Sequence, residues 1–145
     1  DKAKEYATFI ALGFLVGVVG FLMDMIEQLL VFIKDAVTQK IIDSNSKVAA
    51  WLFYSFYGTM LVLISTIMTL YWGTGAMGSG VAEVIGVVNG INYPDAINIK
   101  TLITKVIGVV LAVVGGLAVG KEGPLAHIGA NLGSGIVYLP KLEYL

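Results

Sequence analysis

Thirty-five consecutive residues, Val48 to Ala82, carry no charged side chain. A helix needs roughly 20 apolar residues to cross a bilayer. Within the run, Trp51 and Trp72 lie 21 residues apart, which is about 31 Å along a helix. That spacing places an aromatic anchor at each edge of a hydrocarbon core. Tyr6 to Met23 is a second uncharged run, of 18 residues. Only 13% of the chain is charged and 57% is hydrophobic, whereas soluble domains carry about 25% charged residues. The expected fold class is an all-α membrane protein, with long tilted helices and short broken ones.

The same composition excludes several functions. Net charge is −1, and the nine cations, all Lys, are scattered, so no nucleic-acid partner is expected. There is no Cys and one His, so no disulfide and no metal site are expected. The N-terminus lacks the short apolar core and cleavage site of a signal peptide. The chain starts without Met and stops soon after an apolar segment, and it reads as a piece of a longer protein with no soluble domain.

Helices are expected at about 6–33, 48–72, 81–89, 99–117 and 124–139. In the first, Gly13, Gly17 and Gly20 form a small-residue stripe, with Gly13-x-x-x-Gly17 as a possible helix contact. Asp24 and Glu27 share a face; they mark either the watery end of a tilted helix or an ion path. Residues 34–47 are polar, Asp43-Ser44-Asn45-Ser46 is the turn, and Ser46 is positioned to cap the next helix. Beyond Trp72, glycine-rich breaks at 73–80 and 115–124 alternate with helices too short to span. Irregular backbone survives in a membrane only where protein or a water-filled cavity covers it. Interrupted helices of this kind point to a transporter's binding site.

Gly120-Lys121-Glu122-Gly123-Pro124 puts a carboxylate between glycines where an apolar helix begins. Charged groups inside membrane segments are costly and usually functional. A helix start offers free N–H groups and the positive end of a dipole, which suit an anion. Glu122 is therefore a candidate built-in anion at an anion site. Gly115-x-x-x-x-Gly120-Lys121 also matches most of a phosphate-binding loop, but Glu122 stands where Ser or Thr should hold magnesium. Gly78-Ser79-Gly80, a weak signal alone, opens another short helix 41 residues before Gly120.

Together, Gly78-Ser79-Gly80-Val81-Ala82-Glu83, Asn89-Gly90, Thr101-Leu102, Lys105 and Gly115-Gly116-Leu117-Ala118-Val119-Gly120-Lys121-Glu122-Gly123-Pro124-Leu125-Ala126-His127 resemble the CLC family of chloride channels and chloride/proton exchangers. The wording of 115–124 is most similar to the intracellular branch, found in endosomes, lysosomes and vacuoles. The resemblance implies a multi-pass homodimer with one anion pathway per subunit and two inverted halves. This chain would match the second to sixth helices of the first half.

It implies no cofactor, a bound chloride, chloride and protons as the transported species, and no enzymatic activity. Glu122 would be the gating, proton-accepting glutamate. Ser79 would bind the anion through its hydroxyl, with Gly80, Gly120, Lys121 and Gly123 lining the anion site. Where the family usually has Pro, this chain has Ala82, which lacks the preset φ but still suits a helix start.

Other charged residues have plainer readings. Lys121 either raises anion concentration at a pore mouth or snorkels to the interface. Lys105 is expected to pair with a carboxylate or lie near the cytoplasmic surface, Glu83 to favour the start of its short helix, and His127 to be structural. Counting lysines places 34–47 in the cytoplasm, whereas the resemblance implies the opposite side and is preferred. Anion/proton exchange is the leading function. A passive chloride channel and a non-transporting scaffold subunit are the alternatives, and a phosphate-loop enzyme comes third.

Overall fold

The computed structural model describes residues 2–137. Five helices follow one another: α1 Lys2–Asp43, α2 Lys47–Tyr71, α3 Val81–Val88, α4 Ile99–Val114 and α5 Glu122–Val137, with a single 3-10 turn at Thr74–Ala76 before α3. Among the described residues there is no strand. α1 and α2 are long and apolar enough to cross a membrane.

α1 runs through most of the polar stretch that the sequence suggested as a connection. Its 42 residues extend about 63 Å at the standard rise, twice the hydrocarbon thickness. Residues 34–42 contain no Gly or Pro, so polarity alone does not end the helix. The break comes at Ser44 and Asn45, where Asn45 takes a left-handed φ of 63°. Ser46 does precede α2, but its side chain makes no capping bond. α4 stops at Val114, short of the expected 117, because Gly116 turns to φ 93°. α5 begins two residues before Pro124, which its first turn tolerates because the missing N–H has no helical partner there. The expected end of that helix, at 138–139, lies outside the described residues.

α5 packs antiparallel along α1. Side chains added at Gly133, Gly129 and Gly20 would reach Leu12, Val16 and Leu125 at 3.3, 3.6 and 3.7 Å respectively. The other two glycines of the α1 stripe, Gly13 and Gly17, have nothing within 4 Å, so their expected contact is not made among the described residues. α2 and α4 meet closely. A methyl at Gly58 would sit 2.7 Å from the Gly115 carbonyl oxygen, and the Ser65 hydroxyl donates to the Gly108 carbonyl at 2.9 Å. In lipid, tails are as apolar as Leu, so helices associate through such close packing and bonding. Met23, Val110, Val114 and Ile128 form the buried core where α1, α4 and α5 meet.

Candidate functional site

The second half of the chain exists because its breaks are held by buried donors. The 73–80 segment leaves α2, makes its 3-10 turn and enters α3 through two left-handed glycines, Gly78 at φ 68° and Gly80 at φ 79°. Carbonyls at such a break have no helical partner. Lys105 of α4 supplies one: its ammonium donates to the Ala76 and Gly78 carbonyls, both at 2.8 Å. Lys105 is buried. Its hydrogen-bond partners are thus backbone oxygens rather than the carboxylate the sequence suggested.

The same arrangement recurs at the other breaks. The 89–98 connection is fixed by Thr101, whose hydroxyl donates to the Asp95 carbonyl at 2.7 Å. The Ala96 carbonyl receives both His127 Nε2, at 2.8 Å, and Asn131 Nδ2, at 3.1 Å, from α5. A carbonyl only accepts, so His127 carries its proton on Nε2. At the C-terminal end of α4, the buried Lys34 ammonium of α1 donates to the Val114 carbonyl at 3.1 Å and lies 4.3 Å from the Tyr54 ring centre.

These supports bring two helix starts together. Gly80 caps α3, and Gly123 sits in the first turn of α5. A Cβ on Gly123 would lie 2.9 Å from that of Ser79. A Cβ on Gly80 would overlap His127 Nδ1. Both positions therefore require glycine so that the two N-terminal ends can approach. The Ser79 oxygen accepts weakly from the Val81 N–H at 3.4 Å, which leaves its hydroxyl proton to donate elsewhere. α3 begins at Val81 with Ala82 in its first turn.

Ser79 and Gly120 line one cavity of about 490 Å³, together with Lys105, Gly108, Thr69 and Pro124. Of the residues that the sequence nominated, these two share the cavity wall. Gly80 and Gly123 are not in its wall; Gly80 lies against His127 and Gly123 against Ser79. Glu122 opens α5, is exposed, and folds back so that its Oε2 would lie 2.9 Å from a Cβ on Gly120. Lys121 is turned the other way. Its ammonium meets Asp24 Oδ1 at 2.7 Å and Glu27 Oε2 at 3.3 Å on α1. Asp24 and Glu27 are thus paired with one cation, and they lie within α1, which continues to Asp43, rather than at its end.

The phosphate-loop alternative loses its context, since the segment leading to Gly115 is helix α4 and not a strand. Sequence reasoning missed the work of Lys105. A lone Lys in an apolar run signals that a partner is needed, but nothing in the sequence says that the partner is a backbone carbonyl.

Two helix starts thus meet beside a cavity, in a chain with two helices long and apolar enough to cross a membrane. Comparison with known proteins identifies it further. The family described as Voltage gated chloride channel matches residues 60–143, more than half of the sequence. The chain belongs to that family, also called CLC, and is an integral membrane chain. It is 33% identical to the H(+)/Cl(-) exchange transporter 7 of Mus musculus over 139 residues, covering 93% of this chain and 17% of that protein. It is 41% identical to Chloride channel protein D of Dictyostelium discoideum over 95 residues, covering 66% of this chain and 10% of that protein. With the putative chloride channel-like protein CLC-g of Arabidopsis thaliana it shares 31% identity over 123 residues, covering 85% and 16% respectively. The chain spans less than a fifth of the length of these relatives.

Proposed function

We propose that this chain forms part of a chloride/proton exchanger in which Glu122 gates the anion path and accepts the proton. The observation that carries the reading is the meeting of the α3 and α5 N-termini beside a cavity lined by Ser79 and Gly120. Two positive dipole ends, whose first-turn N–H groups have no partner within their own helix, favour an anion there, and the Ser79 hydroxyl adds a donor. The buried Lys105 ammonium in the same wall strengthens the positive field in a low-dielectric setting. No covalent chemistry is involved, so no enzymatic role is assigned.

Glu122 stands next to Gly120 and competes with the transported anion when ionised. Protonation removes its charge, and the carboxyl then leaves the site to the anion. A cycle of this kind carries a proton on one side chain and an anion through the vacated site. The likeness to exchange transporter 7 favours exchange over a passive channel and favours an endomembrane location. A homodimer with one pathway per subunit completes the reading.

The test uses the full-length protein in liposomes. Glu122→Gln is expected to abolish proton movement coupled to chloride and to leave anion flux independent of pH. Coupled proton movement persisting in Glu122→Gln overturns the assignment. Chloride flux without proton movement in the unsubstituted protein instead supports a passive channel gated by Glu122.

A further inference from the structure

We infer that Asp24 and Glu27 of α1 act as a clamp on Lys121, making Lys121 a positioning residue for Glu122 rather than an anion-attracting lysine. The inference rests on the gating reading of Glu122 and specifies what holds that residue in place.

Residues 115–121 join α4 to α5 without regular structure; their backbone N–H bonds reach back to α4 or to Leu117, and the Lys121 carbonyl accepts from the Leu125 N–H of α5. Gly116 and Gly120 loosen the segment further. Among the described residues, its one side-chain link to another helix is Lys121, which bridges 97 residues to Asp24 and 94 to Glu27. Lys121 also sits immediately before Glu122. Whatever fixes its ammonium fixes the backbone from which the Glu122 carboxylate swings.

Asp24 and Glu27 are three residues apart on one helix face, where like charges repel. A cation between them removes that repulsion, so the acids prefer Lys121 docked. The three groups together carry one net negative charge. They cannot concentrate anions, and Lys121 does not line the cavity that holds Ser79 and Gly120. Release of the clamp frees an ammonium one residue from Glu122, where it can pair with the carboxylate and hold it away from the anion site.

The charges on the elements packed around this junction are few. α1 contributes Asp24, Glu27 and Lys34, and the last is committed to the Val114 carbonyl. α4 carries Lys100 in its first turn, at the end away from the junction, and Lys105, committed to the 73–80 carbonyls. α3 carries Glu83, and α5 carries His127 bonded to Ala96. From α2, Gly58 and Val62 approach Gly115, and Ser65, Thr66 and Thr69 line the cavity; none of these is charged. Lys121 is therefore the cation free to exchange between Asp24, Glu27 and Glu122.

The experiment compares Lys121→Met, and Asp24→Asn combined with Glu27→Gln, with the unsubstituted full-length protein in liposomes. Each is expected to lower protons moved per chloride by about two- to fivefold, the scale of a partly exposed ion pair, and to shift the pH profile of anion flux. In a Glu122→Gln background the same substitutions are expected to change neither quantity. Exchanging the charges, Lys121→Glu with Asp24→Lys, is expected to recover much of the coupling. Unchanged coupling, or an equal loss of flux with and without Glu122, overturns the clamp.

A second readout does not depend on the gating reading. With Ala118→Cys in the same segment, Lys121→Met is expected to raise the rate of modification by a water-soluble thiol reagent about two- to fivefold. An unchanged rate overturns the clamp by itself. A raised rate alongside proton coupling that survives Glu122→Gln supports the clamp and overturns the gating reading beneath it.

Discussion

α1 and α2 account for nearly half of the chain but bury little besides Met23, Lys34, Ala50 and Gly58. Phe9, Phe14, Phe21 and Phe32 along α1 are between 68% and 71% exposed. The broken half, from Gly73 onward, buries Thr101, Thr104, Lys105, His127 and Asn131. The contrast follows from backbone satisfaction. A continuous helix bonds its own N–H and C=O groups and needs only lipid or a smooth neighbour around it. A break at membrane depth frees carbonyls, and each one must find a donor or lose several kcal/mol. Buried Lys34, Thr101, Lys105, His127 and Asn131 all bond to carbonyls where helices stop or between helices.

Removing such a donor should give the largest effect. Lys105→Met leaves the Ala76 and Gly78 carbonyls without their donor. Each unsatisfied buried acceptor costs about 1–3 kcal/mol. Relief of the buried ammonium's own desolvation offsets part of this, for a net loss of about 2–4 kcal/mol. The expected result is a clearly lower melting temperature of the full-length protein in detergent, with anion flux down at least about tenfold. A thermally unchanged variant would break the link between buried donors and broken backbone.

Gly80 provides the next test. Its φ of 79° costs a non-glycine residue about 1–2 kcal/mol, and a methyl there overlaps the His127 ring. Gly80→Ala should lower stability by several kcal/mol in all, since a packed core does not yield to an added group freely. Adding His127→Ala should return the steric part but not the backbone part, and it removes one donor to the Ala96 carbonyl. Melting temperatures of the two single variants and the double variant separate these contributions. Strict additivity, with no rescue, would mean that His127 and Gly80 do not constrain one another.

The breaks were legible in the sequence because Gly78, Gly80 and Gly116 are glycines at positions of positive φ, and only glycine takes that conformation cheaply. The nomination of Ser79 and Gly120 followed from the same signal, and the structure places both on one cavity. The length of α1 was not legible. Its last ten residues include Lys34, Asp35, Thr38, Gln39, Lys40 and Asp43, and such polarity resembles a connection until a neighbour such as the Val114 carbonyl explains Lys34. The pairing of Lys121 with Asp24 and Glu27 was hidden for a different reason. No periodic pattern relates residues more than ninety positions apart, and only the antiparallel packing of α5 on α1 brings them together.

The smallest effect gives the finest comparison, because it uses one side-chain chemistry in both halves. Thr59 of α2 donates to the Ser55 carbonyl one turn earlier at 2.8 Å and is exposed. That carbonyl already accepts within the helix ladder, so Thr59→Val removes a redundant bond and keeps the side-chain shape. Thr101 of α4 donates to the Asp95 carbonyl at 2.7 Å and is only 2% exposed. The 89–98 connection, unlike a helix, has no ladder to take over that bond. Thr101→Val should therefore cost about 1–2 kcal/mol, while Thr59→Val stays within about 0.5 kcal/mol. Both are read from the melting temperature of the full-length protein, with no change expected in the proton-to-chloride ratio. Equal costs at the two positions would mean that neither burial nor the broken backbone raises the value of the Thr101 bond.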